Sequence, residues 1–303
     1  NARETTREGR EGGGGVGVGV RCASRGCAVG TCCGGASVEK TAMGPETAMM
    51  LALGTWANAH EWESKHYMVW GLTITVAYEL LSWLALNVPS ASGAVELPIR
   101  AKHLDSLESI DLAYITFSRL SAMPFTYHLL SFCYNSGADS GHVVWEPSKA
   151  TVVNTFGAFV AFFVVYDFFY TAFHLALHRP SIYAYVHKHH HRQKAPSRGN
   201  TDGINVHPIE FLTGEYLHLL VIAIVPCHIY AVAAFIIIGG FLASLNHTRF
   251  DLKLPLGLYS VAVHDEHHVA FNYNYGQYTM LWDRAWGTYR SPPPFGSTKA
   301  KTK

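Results

Sequence analysis

Long apolar stretches separated by polar ones divide the chain. Tyr67 to Val88 is long enough to cross a bilayer, which takes ~20 mainly apolar residues, and it carries one acid, Glu79. A carboxylate facing lipid is costly, so Glu79 is expected to face protein or water. A weaker stretch, about Leu112 to Cys133, is interrupted by Arg119 and Pro124. The clearest is Thr151 to Phe173, which runs directly into His174. Leu217 to Leu245 is again apolar but is broken by Pro226-Cys227-His228. Proline removes a backbone donor and disfavours helix in the residue before it, so a hairpin is expected there. Fully crossing or re-entrant, a hairpin returns the chain to the face it left, and the histidine-bearing segments on either side then share one side of the membrane. The pattern predicts an all-α, integral membrane helical bundle of about four to five membrane segments with a histidine-rich helical cap.

Composition agrees. Over 303 residues, 49 % are hydrophobic and only 15 % charged, and the net charge of +1 gives no electrostatic reason for a nucleic-acid partner. Of the six cysteines, Cys22, Cys27, Cys32 and Cys33 sit in a Gly-rich leader and only Cys133 and Cys227 in the body, so no disulfide framework or Cys-based zinc pattern is implied. Residues 1–42 show no apolar periodicity and read as a disordered leader, with Met43 a candidate start. They lack the continuous apolar core of a secretory signal, and Glu4, Glu8 and Glu11 speak against a transit peptide. The remaining divisions are 43–150, N-terminal membrane segments; 151–290, a di-metal domain; and 291–303, a flexible tail. Lys188, Arg192, Lys194, Arg198, Arg249 and Lys253 place the histidine loops in the cytosol by the positive-inside rule, while the loop before Thr151 carries only Lys149.

The composition also holds 18 histidines. His174 and His178 are four apart; His187, His190 and His191 form H-x-x-H-H, and His264, His267 and His268 repeat it. On a helix such spacings put side chains on one face, so each cluster can aim two or three imidazoles at one point. His207 and His247 lie between the second and third clusters. Neutral imidazole is the commonest side-chain metal ligand, and one ion seldom takes more than about four or five, so this set suits two ions with essentially all-imidazole ligation. The other histidines, among them His60, His66, His103, His128, His142, His189, His218 and His228, read as ordinary core or surface residues. Asp167 lies two turns before His174 on the same helix face, where it serves either as a hydrogen-bond acceptor for a ligand imidazole or as a polar contact between helices. Asp265 and Glu266 fall off the histidine face of their helix.

Residues 160–290 resemble the fatty acid hydroxylase and sterol desaturase superfamily. The resemblance rests on Asp167 to His178, His187-Lys-His-His-His191, Val206-His-Pro-Ile209, His264-Asp-Glu-His-His268 and Leu281-Trp-Asp-Arg-Ala-Trp-Gly-Thr-Tyr-Arg290. The stretch Asn272 to Arg284 looks like the end of sterol C5-desaturases, whereas the connection from Arg192 to Gly203 departs from them. The resemblance implies a multi-pass enzyme of the endoplasmic reticulum membrane with cytosolic histidine boxes and C-terminus. It implies two iron ions, O2 as co-substrate, a sterol or acyl lipid as substrate, and cytochrome b5 or a reductase as electron donor. Its ligands would be His174, His178, His187, His190, His191, His247, His264, His267 and His268, with His207 a tenth. A fatty-acyl or sphingoid-base hydroxylase is the nearest alternative, and a membrane metal-binding or transport protein a more distant one. The tail Lys299-Ala-Lys301-Thr-Lys303 fits the K-x-K-x-x retrieval pattern of that compartment.

Overall fold

The computed structural model describes residues 64–91, 94–254 and 258–294. The expectations for the leader and for the K-x-K-x-x tail therefore lie outside the described residues. The long elements are helices: α1 (Ser64–Ala91), α2 (Ser109–Tyr134), α3 (Ala158–Leu177), α4 (Pro208–Ile224), α5 (Ile229–Asn246), α6 (Val261–Ala270) and the short α7 (Leu281–Trp286). The strands among the described residues are two-residue ladders. β1 (Val95–Glu96) pairs antiparallel with β4 (Phe250–Asp251), and β2 (Val143–Val144) pairs parallel with β3 (Cys227–His228).

Among the described residues, three helical stretches are long and apolar enough to cross a membrane: Met68–Pro89, Val153–Leu177 and Ile229–Asn246. They leave Leu72, Val76, Leu80 and Trp83 of α1, Val160 of α3 and Ile237 of α5 exposed, an apolar surface that water would not favour and lipid would. α2 runs through Pro124 without a break. The apolar stretch that Arg119 and Pro124 interrupt is not among the three candidate spans, and the N–H missing at Pro124 is a local loss within a helix packed against α1 and α4. Glu79, half-exposed, pairs with Arg119 of α2 at 2.7 Å, so the acid in the first span meets an opposite charge.

The apolar region from Leu217 to Leu245 is two helices, as the proline predicts. α4 ends at Ile224, Val225 to His228 turn the chain, and His228 Nδ1 caps α5 by accepting the Tyr230 N–H at 3.2 Å. α5 packs against α1 and α3, and α4 against α2 and α3. Phe162, Tyr166, Val221, Ile222, Phe235 and Leu245 are buried where these helices meet. The histidines gather at one end of this core.

Candidate metal centre

Each histidine segment is built differently. His174 stands in the last turn of α3, and His178 caps that helix. His187 to His191 do not lie on an α-helix. The backbone passes through turns in which both His187 and Lys188 donate to the Tyr183 carbonyl, at 3.1 and 2.8 Å, and then a 3-10 turn over His190–Arg192. Residues four apart still meet, with the His187 and His191 rings 4.6 Å apart. His247 caps the end of α5, and α6 carries His264, His267 and His268, all buried.

Nine of the ten expected histidines converge in two groups. His174, His178, His187, His191 and His267 form one and His190, His247, His264 and His268 the other, the ligand atoms in each lying within 4.8 Å of one another. Each H-x-x-H-H motif is shared. His187 and His191 go to the five-membered group and His190 to the four-membered one; His264 and His268 go to the four-membered group and His267 to the five-membered one. The groups adjoin through ring contacts, His191 to His268 at 5.0 Å and His187 to His190 at 5.5 Å. His207 lies outside both. Its Nδ1 accepts the Ile209 N–H at 3.2 Å, capping α4 ahead of Pro208, and its ring meets Tyr114 edge-on.

The hydrogen bonds on the far side of the rings determine what the converging atoms can be. Nδ1 of His174 donates to the Tyr275 carbonyl at 2.8 Å, that of His267 to Tyr273 at 2.7 Å, that of His247 to Ala243 at 3.1 Å and that of His268 to Gln193 at 3.1 Å. His187 Nδ1 donates to Glu210 Oε1 at 2.8 Å. A neutral imidazole has one N–H, so these five present a bare Nε2 lone pair inward. His174 and His187 then oppose lone pairs at only 3.0 Å, an arrangement that repels unless a cation lies between. The other close Nε2 pairs are 3.0 to 3.2 Å apart in the larger group and 3.2 to 3.4 Å apart in the smaller, all ligand atoms of each group lying within 4.8 Å. Ligands ~2.1 Å from one ion are about 3.0 Å apart at right angles and about 3.4 Å apart at tetrahedral angles. The donor set fits two metal ions.

Protonation points the same way. Burial first, then neighbouring imidazoles, pushes the pKa of His190, His191, His264, His267 and His268 well below the usual histidine range, and that of His178 to about 3. Burial also lowers His247. Neutral imidazole is the form that binds metal.

Acids hold the segments in place from outside. Asp111, buried at the start of α2, accepts from His189 and from Asn205 at 2.9 Å each and fixes the second histidine segment. Asp265 pairs with Arg100 and Arg249, and Glu266 with Arg100 and Arg290, which anchors α6. Neither acid joins a metal group. Asp167 does not reach an imidazole. Its carboxylate accepts the backbone N–H groups of Gln277, Tyr278 and Thr279 in the loop ahead of α7, a contact that is neither to a ligand imidazole nor to another helix. The acid that orients a ligand ring is Glu210, which the sequence reading missed; its only signal is its place three residues after His207 at the head of α4. The connection from Arg192 to Gly203 folds onto the site. Gly199 N donates to the His247 carbonyl at 2.9 Å, and a Cβ on Gly203 would sit 3.0 Å from His247 Nδ1.

A cavity of about 370 Å3 runs between α1, α2, α3, α4 and α5 and reaches His190, His247 and His264. Its walls are mainly apolar, from Trp70, Ile74 and Leu81 of α1 to Phe125 and Leu129 of α2 and Ile236 of α5. Only members of the four-histidine group line it. This is the size and character of a site for a lipid-like molecule, lined at one place by three histidines of the four-membered group.

The comparisons bear on this arrangement directly. Residues 159–288 match the fatty acid hydroxylase family. The matched stretch contains every histidine of both groups, so the fatty acid hydroxylase resemblance read from the histidine motifs is borne out. A probable Delta(7)-sterol 5(6)-desaturase of Neurospora crassa is 32 % identical over 193 residues, 63 % of this chain and 51 % of that protein. Lathosterol oxidase of Homo sapiens is 31 % identical over 140 residues, 45 % of this chain and 46 % of that protein. Cholesterol 25-hydroxylase of Mus musculus is 32 % identical over 130 residues, 40 % of this chain and 43 % of that protein. The chain thus spans about half the length of these relatives. No solved structure gives a significant match.

Proposed function

We propose that the chain is a membrane-bound, non-haem di-iron oxygenase that hydroxylates or desaturates a sterol, using O2. The observation that carries this reading is the apolar cavity between the helices, lined at one place by three imidazoles of a group built to hold a cation. His174, His178, His187, His191 and His267 hold one iron, and His190, His247, His264 and His268 the other. When bound, the iron pair supplies an oxidant strong enough to take hydrogen from an unactivated C–H bond. The protein's share is placement and exclusion. Glu210 Oε1 holds the His187 Nδ1 proton, and the carbonyls of Tyr275, Tyr273, Ala243 and Gln193 hold those of His174, His267, His247 and His268, keeping these five Nε2 lone pairs inward. The apolar walls keep water from the reacting carbon. Where that carbon sits relative to the histidines decides between alcohol and alkene.

The printed names of the relatives support a sterol over a free acyl chain, since a sterol desaturase, a lathosterol oxidase and a cholesterol hydroxylase all align with the same region. Electrons come from cytochrome b5 or a reductase, because the chain itself carries no flavin or nicotinamide motif. The site faces the cytosol from the endoplasmic reticulum membrane, in keeping with the basic residues around the second histidine segment. A metal transporter would place its ligands near the bilayer midplane, whereas these histidines sit at or beyond the ends of the spans.

The test is sterol profiling by mass spectrometry in yeast lacking its own sterol C5-desaturase and expressing this chain or its His190→Ala variant, with iron measured in the purified protein. A new sterol double bond or hydroxyl that disappears with the variant, and about two irons per chain, is the expected result. An unchanged sterol and acyl-lipid pool from well-expressed, iron-loaded protein refutes the reading.

A further inference from the structure

The cavity is not apolar throughout. α4 contributes Glu210, Phe211, Gly214, Glu215 and His218 to its wall. Two of these polar side chains are already engaged. Glu210 bonds His187, and His218 bonds Tyr278 Oη at 3.0 Å through Nε2 and lies against its own helix's carbonyls through Nδ1. The Oε2 of Glu215 is buried without a hydrogen-bond partner; so is the Oε2 of Glu210, but that carboxylate is already tied to His187 through its Oε1. An unmet carboxyl oxygen in an apolar cavity costs stability and is retained where a ligand completes it. A hydroxyl suits it best, since a hydroxyl donates to a carboxylate and accepts from a carboxylic acid, whichever form is present.

Position along the helix adds a distance. Glu215 lies five residues beyond Glu210, the residue level with the histidines, which at 1.5 Å per residue is about 7.5 Å along α4. The cavity itself follows α5 from His247 to Ile236, about 16 Å by the same rise. Glu215 is therefore partway along, nearer the histidines than the far end.

We propose that Glu215 is the anchor for the hydroxyl group of a neutral lipid substrate and so selects which end of that lipid is oxidised. A hydroxyl held about 7.5 Å from the level of the histidines presents the hydroxyl-bearing end of the molecule to them and keeps a long tail away. Among the relatives, this favours ring oxidation near the hydroxyl over hydroxylation of a side chain. The proposal takes the cavity as the substrate site, which it shares with the oxygenase reading, but binding tests it separately from turnover.

The experiment measures equilibrium binding of a radiolabelled 3-hydroxysterol and of its 3-deoxy analogue to the purified, iron-loaded full chain in detergent, for wild type, Glu215→Leu and Glu215→Gln. Wild type is expected to prefer the hydroxysterol about tenfold, the size of one net hydrogen bond. Glu215→Leu should erase that preference by weakening only the hydroxysterol, and Glu215→Gln should keep most of it. If wild type binds both sterols equally or neither, or if Glu215→Leu weakens both alike or neither, the anchor is refuted; the wild-type comparison decides even if a variant fails to fold. Turnover of the same hydroxysterol is followed in parallel. Selective binding without any oxidised product would sink the oxygenase reading and leave the anchor standing, whereas oxidised product from a protein with no hydroxyl preference would do the reverse.

Discussion

Glu210 and His207 stand three residues apart at the head of α4 and do different work. Glu210 fixes the tautomer and orientation of His187; His207 closes a helix end. Replacing Glu210 with leucine should weaken iron binding about 10- to 100-fold, the usual loss for an outer partner of a metal-bound imidazole, read as iron retained after dialysis against a graded chelator. His207→Ala should retain full iron while costing about 1 kcal/mol through the lost cap, seen as a small drop in melting temperature. Asp167 gathers three backbone N–H groups, and Asp167→Ala strands all of them. A loss of about 3 kcal/mol or more is expected, measurable by chemical unfolding in detergent. At this scale the spacing of four made three pairs legible, His174 with His178, His187 with His191 and His264 with His268, whereas His190 and His267, three residues from a neighbour, go to the other group. Glu210, Glu215 and the actual partners of Asp167 were not legible, since each acts on segments far away in the chain, and no local spacing encodes such a contact.

Among elements, α6 is the most tightly tied. Its buried Asp265 and Glu266 meet Arg100 from the β1 connection, Arg249 after α5 and Arg290 after α7. Removing one partner of a buried ion pair leaves the other uncompensated. Arg249→Leu should therefore destabilise the protein by about 3–5 kcal/mol and lower the iron content of both groups together, since α6 supplies histidines to each. Iron content and melting temperature, measured together, check this. The break between α4 and α5 was readable from Pro226, and the caps at His207 and His228 fit helix starts after extended residues. The second histidine segment was expected on a helix and instead uses turns and a 3-10 element, because Asp111 and the backbone of Tyr183 hold it in a tighter path.

For the whole molecule, the buried imidazoles couple stability to acidity. Their pKa values are depressed in the folded protein, His178 to about 3, whereas unfolded histidine titrates near ~6.5. Below about pH 6.5 the unfolded chain thus binds more protons than the folded one, and stability present above that value is lost as the pH falls. Chelator-stripped protein should melt at progressively lower temperature from pH 7 to pH 5, and added iron should raise the melting temperature most at the upper end, where protons compete least. A melting temperature independent of pH over that range would contradict the buried, neutral state of these rings. The shared motifs carry one more consequence. Because residues 187–191 and 264–268 each contribute to both groups, an ion that orders one group has already paid for most of the ordering of the other. Loading should accordingly be all-or-none. Native mass spectrometry at half-stoichiometric iron would show empty and doubly filled chains, with the singly filled species scarce.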